Sequence, residues 1–231
     1  MSNFPHDWRR IAAELDEQGW AVLEGLLDLP ECDEIADLYD RDEHFRSKVV
    51  MARHGFGQGE YRYFAYPLPP AVAKLRSALY PPLSAIANAW HQRLGFDNRF
   101  PKDQADYQIH CHNCGQTRPT PLLLRYGPGD YNCLHQDLYG GEVFPLQVAA
   151  LLSEPGQDFT GGEFVLTEQR PRMQSRVQVV ALKKGDGVVF AVNSRPAKGR
   201  RGDHRLTMRH GVSRLRTGRR HVLGLIFHDA A

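Results

Sequence analysis

Apolar residues at helical spacing mark the start of the chain. Trp8, Ile11 and Leu15 recur every three or four positions, and Gly19 follows as a stop signal. This pattern predicts a helix that ends near Gly19. The apolar run over residues 20–27 comes next and is compatible with a short strand.

Two further helices are indicated before residue 104. Apolar residues line one side of segment 31–39, which predicts the second helix. The third helix is predicted to start near Ala71 and to resume after an interruption at Pro81 and Pro82, because proline rings block helical hydrogen bonds. We therefore expect residues 1–104 to form a mainly helical region.

From about residue 105 the apolar period shortens to that of strands. Short apolar or alternating runs are separated there by turns rich in Gly and Pro. The predicted strands are 121–126, 131–137, 146–153, 163–166, 176–182, 187–192, 205–212 and 221–228. Eight short strands at this spacing favour a jelly roll. We predict an α+β fold of one integrated domain, in which residues 1–104 pack on a jelly-roll core of residues 105–231.

The composition supports a globular protein. The chain has 231 residues, which suits one domain, and 42% of them are hydrophobic and 24% charged, which excludes a largely disordered chain. No apolar run approaches the roughly 18 residues of a membrane span, and the first residues lack the apolar core of a signal peptide. We therefore expect a cytoplasmic protein with no membrane partner, in which the four cysteines stay reduced.

Cys111 and Cys114 form a C-x-x-C motif close to His110 and His112. A zinc site of this type normally needs a second matching pair, and only Cys133 lies nearby in the sequence. Reduced thiols are therefore the expectation for this segment.

The segment RYGPGDYNCLHQDLYG, residues 125–140, carries the first candidate metal ligands. His135 and Asp137 are two residues apart on a predicted strand, so both side chains point to the same face. A non-haem Fe(II) site needs two histidines and one carboxylate. The second histidine must therefore come from elsewhere in the chain.

His210 is the strongest candidate for that second histidine. Arg220 follows it by ten residues, after the turn residue Gly218 and at the start of an apolar strand. A buried arginine there needs an anionic partner, and a dicarboxylate cosubstrate would bind its two-pronged guanidinium. His204 is the alternative, since Arg214 also follows it by ten residues. We prefer His210, because His204 lies in a loop-like segment and Arg214 precedes a polar turn.

These residues resemble the motif of the Fe(II)- and 2-oxoglutarate-dependent dioxygenases. The tract GGEFVL, from Gly161, resembles a segment that many members carry between the ligand strands. The resemblance implies a double-stranded β-helix (jelly-roll, cupin-like) core with Fe(II), 2-oxoglutarate and O₂ as cofactor and cosubstrates. It also implies that His135, Asp137 and His210 bind the iron. Arg220 would hold the distal carboxylate of 2-oxoglutarate.

Two branches of that superfamily are similar to different parts of the chain. The ten-residue gap between His210 and Arg220 resembles the prolyl-hydroxylase-like branch. The stretch RYGPGDYNCLHQD resembles the AlkB-type nucleic-acid dealkylases, in which a tyrosine at the position of Tyr126 hydrogen-bonds 2-oxoglutarate. Leu124 and Ile226 stand where the AlkB-type signature has Asn and a second Arg. With FRSKVVMARHGFGQGEYRYFAYPLP included, the chain is similar to a bacterial family of oxygenases assigned to damaged, methylated DNA.

The resemblance implies oxidative demethylation of alkylated nucleic acid. This DNA-repair reaction yields succinate, CO₂ and formaldehyde and requires no general base. A hydroxylase of a protein side chain or of a small metabolite is the alternative. A non-catalytic jelly-roll binding module is a third hypothesis.

The charge is distributed unevenly along the chain, which bears on the substrate. Residues 1–50 carry 5 Lys/Arg and 13 Asp/Glu, whereas residues 194–231 carry 10 and 2. The basic segment is typical of a polyanion-binding surface, but it also fits a solvated face that pairs with the N-terminal acids. Candidates for phosphate contacts are Arg200, Arg201 and Arg205. Candidates for base stacking, which also suit a core, are Tyr61, Tyr63 and Tyr139.

Overall fold

The computed structural model describes residues 6–170, 172–199 and 202–231. Within these ranges the α-helices are α1 (Trp8–Gln18), α2 (Leu29–Asp37), α3 (Pro70–Arg93) and α4 (Gln104–Asn113). Single turns of 3₁₀-helix cover Leu38–Asp40, Asp42–His44 and Met51–His54. None of the helices in the described ranges is long and apolar enough to cross a membrane.

Helix α1 confirms the first predicted helix, and its caps explain its bounds. The Asp7 carboxylate accepts hydrogen bonds from the backbone N–H groups of Arg9 and Arg10, which satisfies two donors that have no partner inside the helix. The helix ends at Gly19, whose left-handed conformation (φ 83°) suits glycine.

Helix α3 corrects the prediction of an interruption at Pro81 and Pro82. The helix runs through both prolines without a break. The prolines remove two backbone donors, but Tyr80 and Leu83 on either side are completely buried, and such packing supplies most of the stability of helices in proteins. The Ser84 hydroxyl also donates to the Pro81 carbonyl at 3.0 Å.

Most of the remaining chain is in short strands. In chain order they are β1 (Trp20–Leu23), β2 (Phe45–Val50), β3 (Gly57–Gln58), β4 (Glu60–Phe64), β5 (Leu122–Tyr126), β6 (Tyr131–His135), β7 (Leu146–Leu151), β8 (Phe159–Gly161), β9 (Phe164–Gln169), β10 (Arg176–Val180), β11 (Gly187–Ala191), β12 (Ser194–Gly199), β13 (Gly202–Val212), β14 (Leu215–Gly218) and β15 (Arg220–Leu225). Each of the eight predicted strands corresponds to one of these.

Two antiparallel sheets form the body of the fold. The larger has seven strands in the order β1–β11–β7–β15–β5–β4–β2. The smaller has the order β10–β9–β13–β6–β3, with β12 paired to β13. A separate ribbon joins β8 to β14. The architecture is thus a mixed α/β fold with mostly antiparallel sheets.

The expectation of a mainly helical region over residues 1–104 is not confirmed. Strands β1, β2 and β4 come from this region and extend both edges of the larger sheet. Without β4, the edge of β5 would expose unpaired backbone groups, and the pairing satisfies them. The N-terminal region therefore completes the sheet as well as packing helices against it.

The larger sheet separates two layers of buried side chains. Val148 and Ala150 of β7 pack with the helices, whereas Ala149 and Leu151 belong to the layer between the two sheets. This explains why β7 reads as a continuous apolar run, since both of its faces are covered. The candidate site lies in the layer between the sheets.

Candidate active site

The end of β6 meets β13 at the candidate metal ligands. His135 is the last residue of β6 and pairs directly with His210 of β13. Asp137 follows two residues later, at the spacing that returns a side chain to the same face of an extended chain. The structure brings all three side chains together, with one ligand atom from each within 4.8 Å of the others.

Distances within this cluster are short. Asp137 Oδ1 lies 3.4 Å from His135 Nε2, and Asp137 Oδ2 lies 3.3 Å from His210 Nε2. The two imidazole ring centres are 4.2 Å apart. Asp137 and His210 are buried, and His135 is half-buried. The cluster therefore offers two nitrogens and a carboxylate around one small space.

Hydrogen bonds from outside the cluster orient two of its members. His135 Nδ1 donates to the Cys133 carbonyl at 2.7 Å, so Nε2 is the nitrogen that faces Asp137 and that a metal would bind in place of its proton. The Tyr139 hydroxyl donates to Asp137 Oδ1 at 2.6 Å. These contacts preorganise the side chains.

The protonation of the cluster follows from burial and from these contacts. Burial opposes ionisation of Asp137, but hydrogen bonds from His135 and His210 hold the pKa of its carboxyl well below the usual range. Burial lowers the pKa of His210. Burial would also lower the pKa of His135. The hydrogen bond and the charge of the Asp137 carboxylate together have the larger effect, so the pKa of His135 is raised. A carboxylate and a neutral buried imidazole are the forms that a cation binds.

Arg220 is a buried cation that forms no ion pair with any of the described residues. It begins β15 and pairs with Tyr126 of β5. Its guanidinium carbon lies 5.5 Å from the centre of the Tyr126 ring and 5.9 Å from that of Phe159. Burial lowers the pKa of Arg220 to about 10. Within the described part of the chain its Nε and Nη1 are buried with no hydrogen-bond partner, so a bound anion would satisfy them.

One cavity of about 180 Å³ joins these groups. The five residues singled out in the sequence as iron or cosubstrate ligands all line it: His135, Asp137, His210, Arg220 and Tyr126. Tyr126 is fully enclosed, and burial raises the pKa of its hydroxyl to about 12. At neutral pH this hydroxyl therefore keeps its proton and remains a hydrogen-bond donor.

Of the predicted phosphate contacts, Arg205 lies away from this cavity. Arg205 is exposed and lines a separate cleft, with its guanidinium carbon 5.7 Å from the centre of the Phe96 ring. Strand alternation places Arg205 and His210 on opposite faces of β13. Arg200 and Arg201 lie outside the described residues.

The N-terminal acids do not neutralise the basic segment in the described ranges. They pair with residues elsewhere, as Asp16 does with Arg93 and Asp40 with Arg125. Arginines of the basic segment that are exposed and form no ion pair within those ranges are Arg205, Arg209, Arg214, Arg216 and Arg219.

The predicted stacking residues are largely buried, although Tyr61 and Tyr139 line the cavity. Tyr61 and Tyr63 are each 8% exposed and pack edge to face, and the Tyr139 hydroxyl is engaged with Asp137. Sequence reasoning missed Phe56, which is 48% exposed and lines the cavity. Its only signal is that it stands alone among glycines in the segment GFGQG.

Comparisons with known sequences identify a family. The model of the family Oxygenase-NA, described as an oxygenase catalysing oxidative methylation of damaged DNA, matches residues 59–230. The chain is 50% identical over 168 residues to an uncharacterized protein from two strains of Mycobacterium tuberculosis. That match covers 73% of this chain and 72% of the relative.

Solved structures share the fold at low sequence identity. A prolyl-4-hydroxylase from Pseudomonas putida is 16% identical with a TM-score of 0.58, over 97% of this chain and 99% of the other. An oxidoreductase of the 2OG-Fe(II) oxygenase family from Burkholderia pseudomallei is 18% identical with a TM-score of 0.55, over 98% and 94%. The jelly-roll core expected from the sequence is the core of these neighbours.

Proposed function

The chain belongs to the Oxygenase-NA family, and on that premise we propose that it is an Fe(II)- and 2-oxoglutarate-dependent dioxygenase that demethylates damaged DNA by oxidation. The observation that carries the proposal is the buried guanidinium of Arg220, whose Nε and Nη1 find no hydrogen-bond partner among the described residues and which lines the same cavity as a His–Asp–His cluster. The non-catalytic binding module is set aside, because the family is one of oxygenases.

The cluster has the donor set that suits non-haem iron. Two imidazoles and one carboxylate form a facial triad and leave other coordination positions open. His135, Asp137 and His210 would hold the iron. Bound iron and 2-oxoglutarate supply the oxidising chemistry, in which 2-oxoglutarate is decarboxylated to succinate and one oxygen atom of O₂ is inserted into a substrate C–H bond.

Arg220 and Tyr126 would hold the cosubstrate. The guanidinium would bind a carboxylate through two parallel hydrogen bonds, and the Tyr126 hydroxyl of the same cavity would add a donor. Apolar side chains such as Leu122, Phe164 and Val222 line the same cavity, and the low polarity that they create would strengthen this ion pair. The cation and the pocket are present before the cosubstrate arrives, so little reorganisation is needed on binding.

Oxygen insertion also sets the direction of the reaction on a methylated base. Hydroxylation of an N-methyl group gives a hemiaminal, whose C–N bond breaks to release formaldehyde while the nitrogen regains a proton. The methyl group is therefore removed rather than added. The step requires no general base, and we assign none.

Features beside the cavity suit a single strand or a flipped nucleotide, the forms in which a base can reach a buried site. Phe56 offers an exposed ring for stacking. A second, separate cleft has a volume of about 230 Å³, and Gln136, which lines the first cavity, donates to the carbonyl of Asn193, which lines this cleft. Arg205 and Phe96 line it as well and would take the phosphate and base of a neighbouring nucleotide.

Hydroxylation of a protein side chain or a small metabolite is the second candidate function. The ten-residue spacing from His210 to Arg220 favours it, as do Leu124 and Ile226 at positions where AlkB-type enzymes carry polar residues. This candidate needs no phosphate contacts, so its substrate affinity would be far less sensitive to salt.

Product analysis tests the proposed function. Protein loaded with Fe(II) and 2-oxoglutarate without oxygen is then exposed to air with methylated single-stranded DNA, with the same strand unmethylated, or with no DNA. We expect formaldehyde with the methylated strand alone, in step with the extra succinate. Succinate without formaldehyde would reject DNA demethylation and leave the second candidate. Absence of both products would reject the assigned cofactor chemistry.

A further inference from the structure

We propose that His110, Cys114 and Glu142 form a second metal site, which takes a divalent cation of the zinc class. One ligand atom of each residue lies within 4.8 Å of the other two. None of the three belongs to the His–Asp–His cluster. The inference therefore stands whether or not the proposed function is correct.

Two of the ligands come from one face of a helix. His110 lies in the last turn of α4, and Cys114 is the residue that caps it, with near-helical φ −88° and ψ 7°. Residues four apart on a helix lie one above the other, so the imidazole and the thiol project to the same side. Cys111, the other cysteine of the C-x-x-C motif, is completely buried, so the motif itself is not the binding unit.

The third ligand is held by its backbone. The buried side chain of Gln116 donates from Nε2 to the Glu142 carbonyl at 3.0 Å and accepts from the Glu142 N–H at 2.7 Å. This pair of bonds fixes the segment that follows Asp137. The Glu142 carboxylate reaches within 3.1 Å of His110 Nε2.

The imidazole is also oriented from outside the site. The rings of His110 and Tyr107 are nearly parallel, at 14° with their centres 6.2 Å apart, and Tyr107 is buried. Tyr107 therefore positions His110, and Gln116 independently positions Glu142. The His110–Glu142 contact alone would stabilise the protein little, because both side chains are partly exposed.

The donor set selects the class of cation. Zinc binds thiolate, imidazole and carboxylate in four-coordinate sites, whereas magnesium and calcium take oxygen ligands. On binding, Cys114 would release its thiol proton to water and His110 would bind as the neutral imidazole through Nε2. A water molecule would complete the shell, since the site is open to solvent. The bound cation would join the end of α4 to the segment after Asp137.

Cobalt(II) is the probe that tests this site. A cysteine thiolate bound to cobalt gives a charge-transfer absorption in the near ultraviolet, and the nitrogens and oxygens of the His–Asp–His cluster do not. Titration of the reduced, metal-free protein under anaerobic conditions should produce this absorption and bring it to saturation within two equivalents of cobalt, because the His–Asp–His cluster can also take one. Added zinc should abolish it by displacement.

Matched variants assign the ligands. Cys114→Ser should abolish the absorption. Glu142→Gln keeps both backbone hydrogen bonds to Gln116 and should weaken cobalt binding at least about tenfold. Cys133→Ser removes the other exposed thiol and should leave the titration unchanged. A wild-type protein without the absorption, or a Cys114→Ser variant that retains it, would overturn the proposal. Neither result depends on oxygenase activity.

Discussion

We expect Arg220 to be the residue on which cosubstrate binding depends most. Replacing it with alanine removes a buried cation that lacks an anionic partner in the described part of the chain. We predict that Arg220→Ala raises the 2-oxoglutarate concentration for half-maximal turnover at least about tenfold, because breaking a buried ion pair costs several kcal/mol. The stability of the protein without 2-oxoglutarate should not fall, since the variant relieves a desolvation penalty.

Arg219→Ala is the matched control, because Arg219 is the adjacent arginine and is exposed. Turnover as a function of 2-oxoglutarate and thermal unfolding without it provide the two measurements. An unchanged 2-oxoglutarate requirement in Arg220→Ala would mean that another residue holds the cosubstrate.

Tyr139 is predicted to position a metal ligand rather than to stack on a base. Its hydroxyl donates to Asp137 Oδ1 at 2.6 Å. Tyr139→Phe keeps the ring and removes this bond, so iron affinity should fall by about 10- to 100-fold, the usual range for such supporting contacts. Fe(II) titration of turnover checks this, with Tyr131→Phe as control. Weakened DNA binding with unchanged iron affinity would restore the stacking role.

At the residue scale, the sequence could single out five candidate ligands because their combined spacing is rare. Few structural roles require His135 and Asp137 two residues apart together with Arg220 ten residues after His210, and the five candidate ligands line one cavity. Phe56 could not be found in this way, since an isolated aromatic residue has many uses. Its exposure beside the cavity depends on the pairing of β3 with β6, which is remote in sequence.

At the scale of elements, the turn between β14 and β15 sets the position of Arg220. Gly218 adopts a left-handed φ of 79°, and a side chain there would lie 1.9 Å from the Asp158 carbonyl oxygen. We predict that Gly218→Ala destabilises the protein by about 2–4 kcal/mol through backbone strain and overpacking combined. Denaturant unfolding measures the loss.

Gly156→Ala separates the two causes. Gly156 has a similar φ of 82°, but a side chain there meets no atom within 4 Å. Gly156→Ala should therefore lower the free energy of unfolding by only about 1–2 kcal/mol, from backbone strain alone. Equal losses in both variants would show that the contact with Asp158 does not matter.

The sequence predicted elements well where one local signal dominates. Gly19 and the apolar spacing before it define α1, and the alternation after residue 105 identifies the core strands. The predicted interruption at Pro81 and Pro82 was wrong, because burial of the neighbouring side chains stabilises the helix by more than the two lost hydrogen bonds destabilise it. Strands β2 and β4 were missed because they are stabilised by pairing with each other and with β5, which depends on contacts between distant segments.

At the scale of the whole molecule, the uneven charge leads to a prediction about DNA. Neutralising Arg200, Arg201 and Arg205 together should weaken binding of single-stranded DNA and reduce the dependence of affinity on salt, because fewer counterions are released. Neutralising Arg214, Arg216 and Arg219 instead changes the charge equally at another place. Equal effects of the two triple variants would indicate general attraction, and no effect of the first would show that its arginines form only a solvated face.

The central claim is that His135, Asp137 and His210 hold the iron of an oxygenase. The most direct test compares succinate release from 2-oxoglutarate by the wild-type protein, His210→Ala and His204→Ala, each loaded with Fe(II) and given methylated single-stranded DNA. His204 is exposed and belongs to the rejected alternative. We predict that His204→Ala turns over like the wild type and that His210→Ala falls to background. Retained turnover in His210→Ala would contradict the claim.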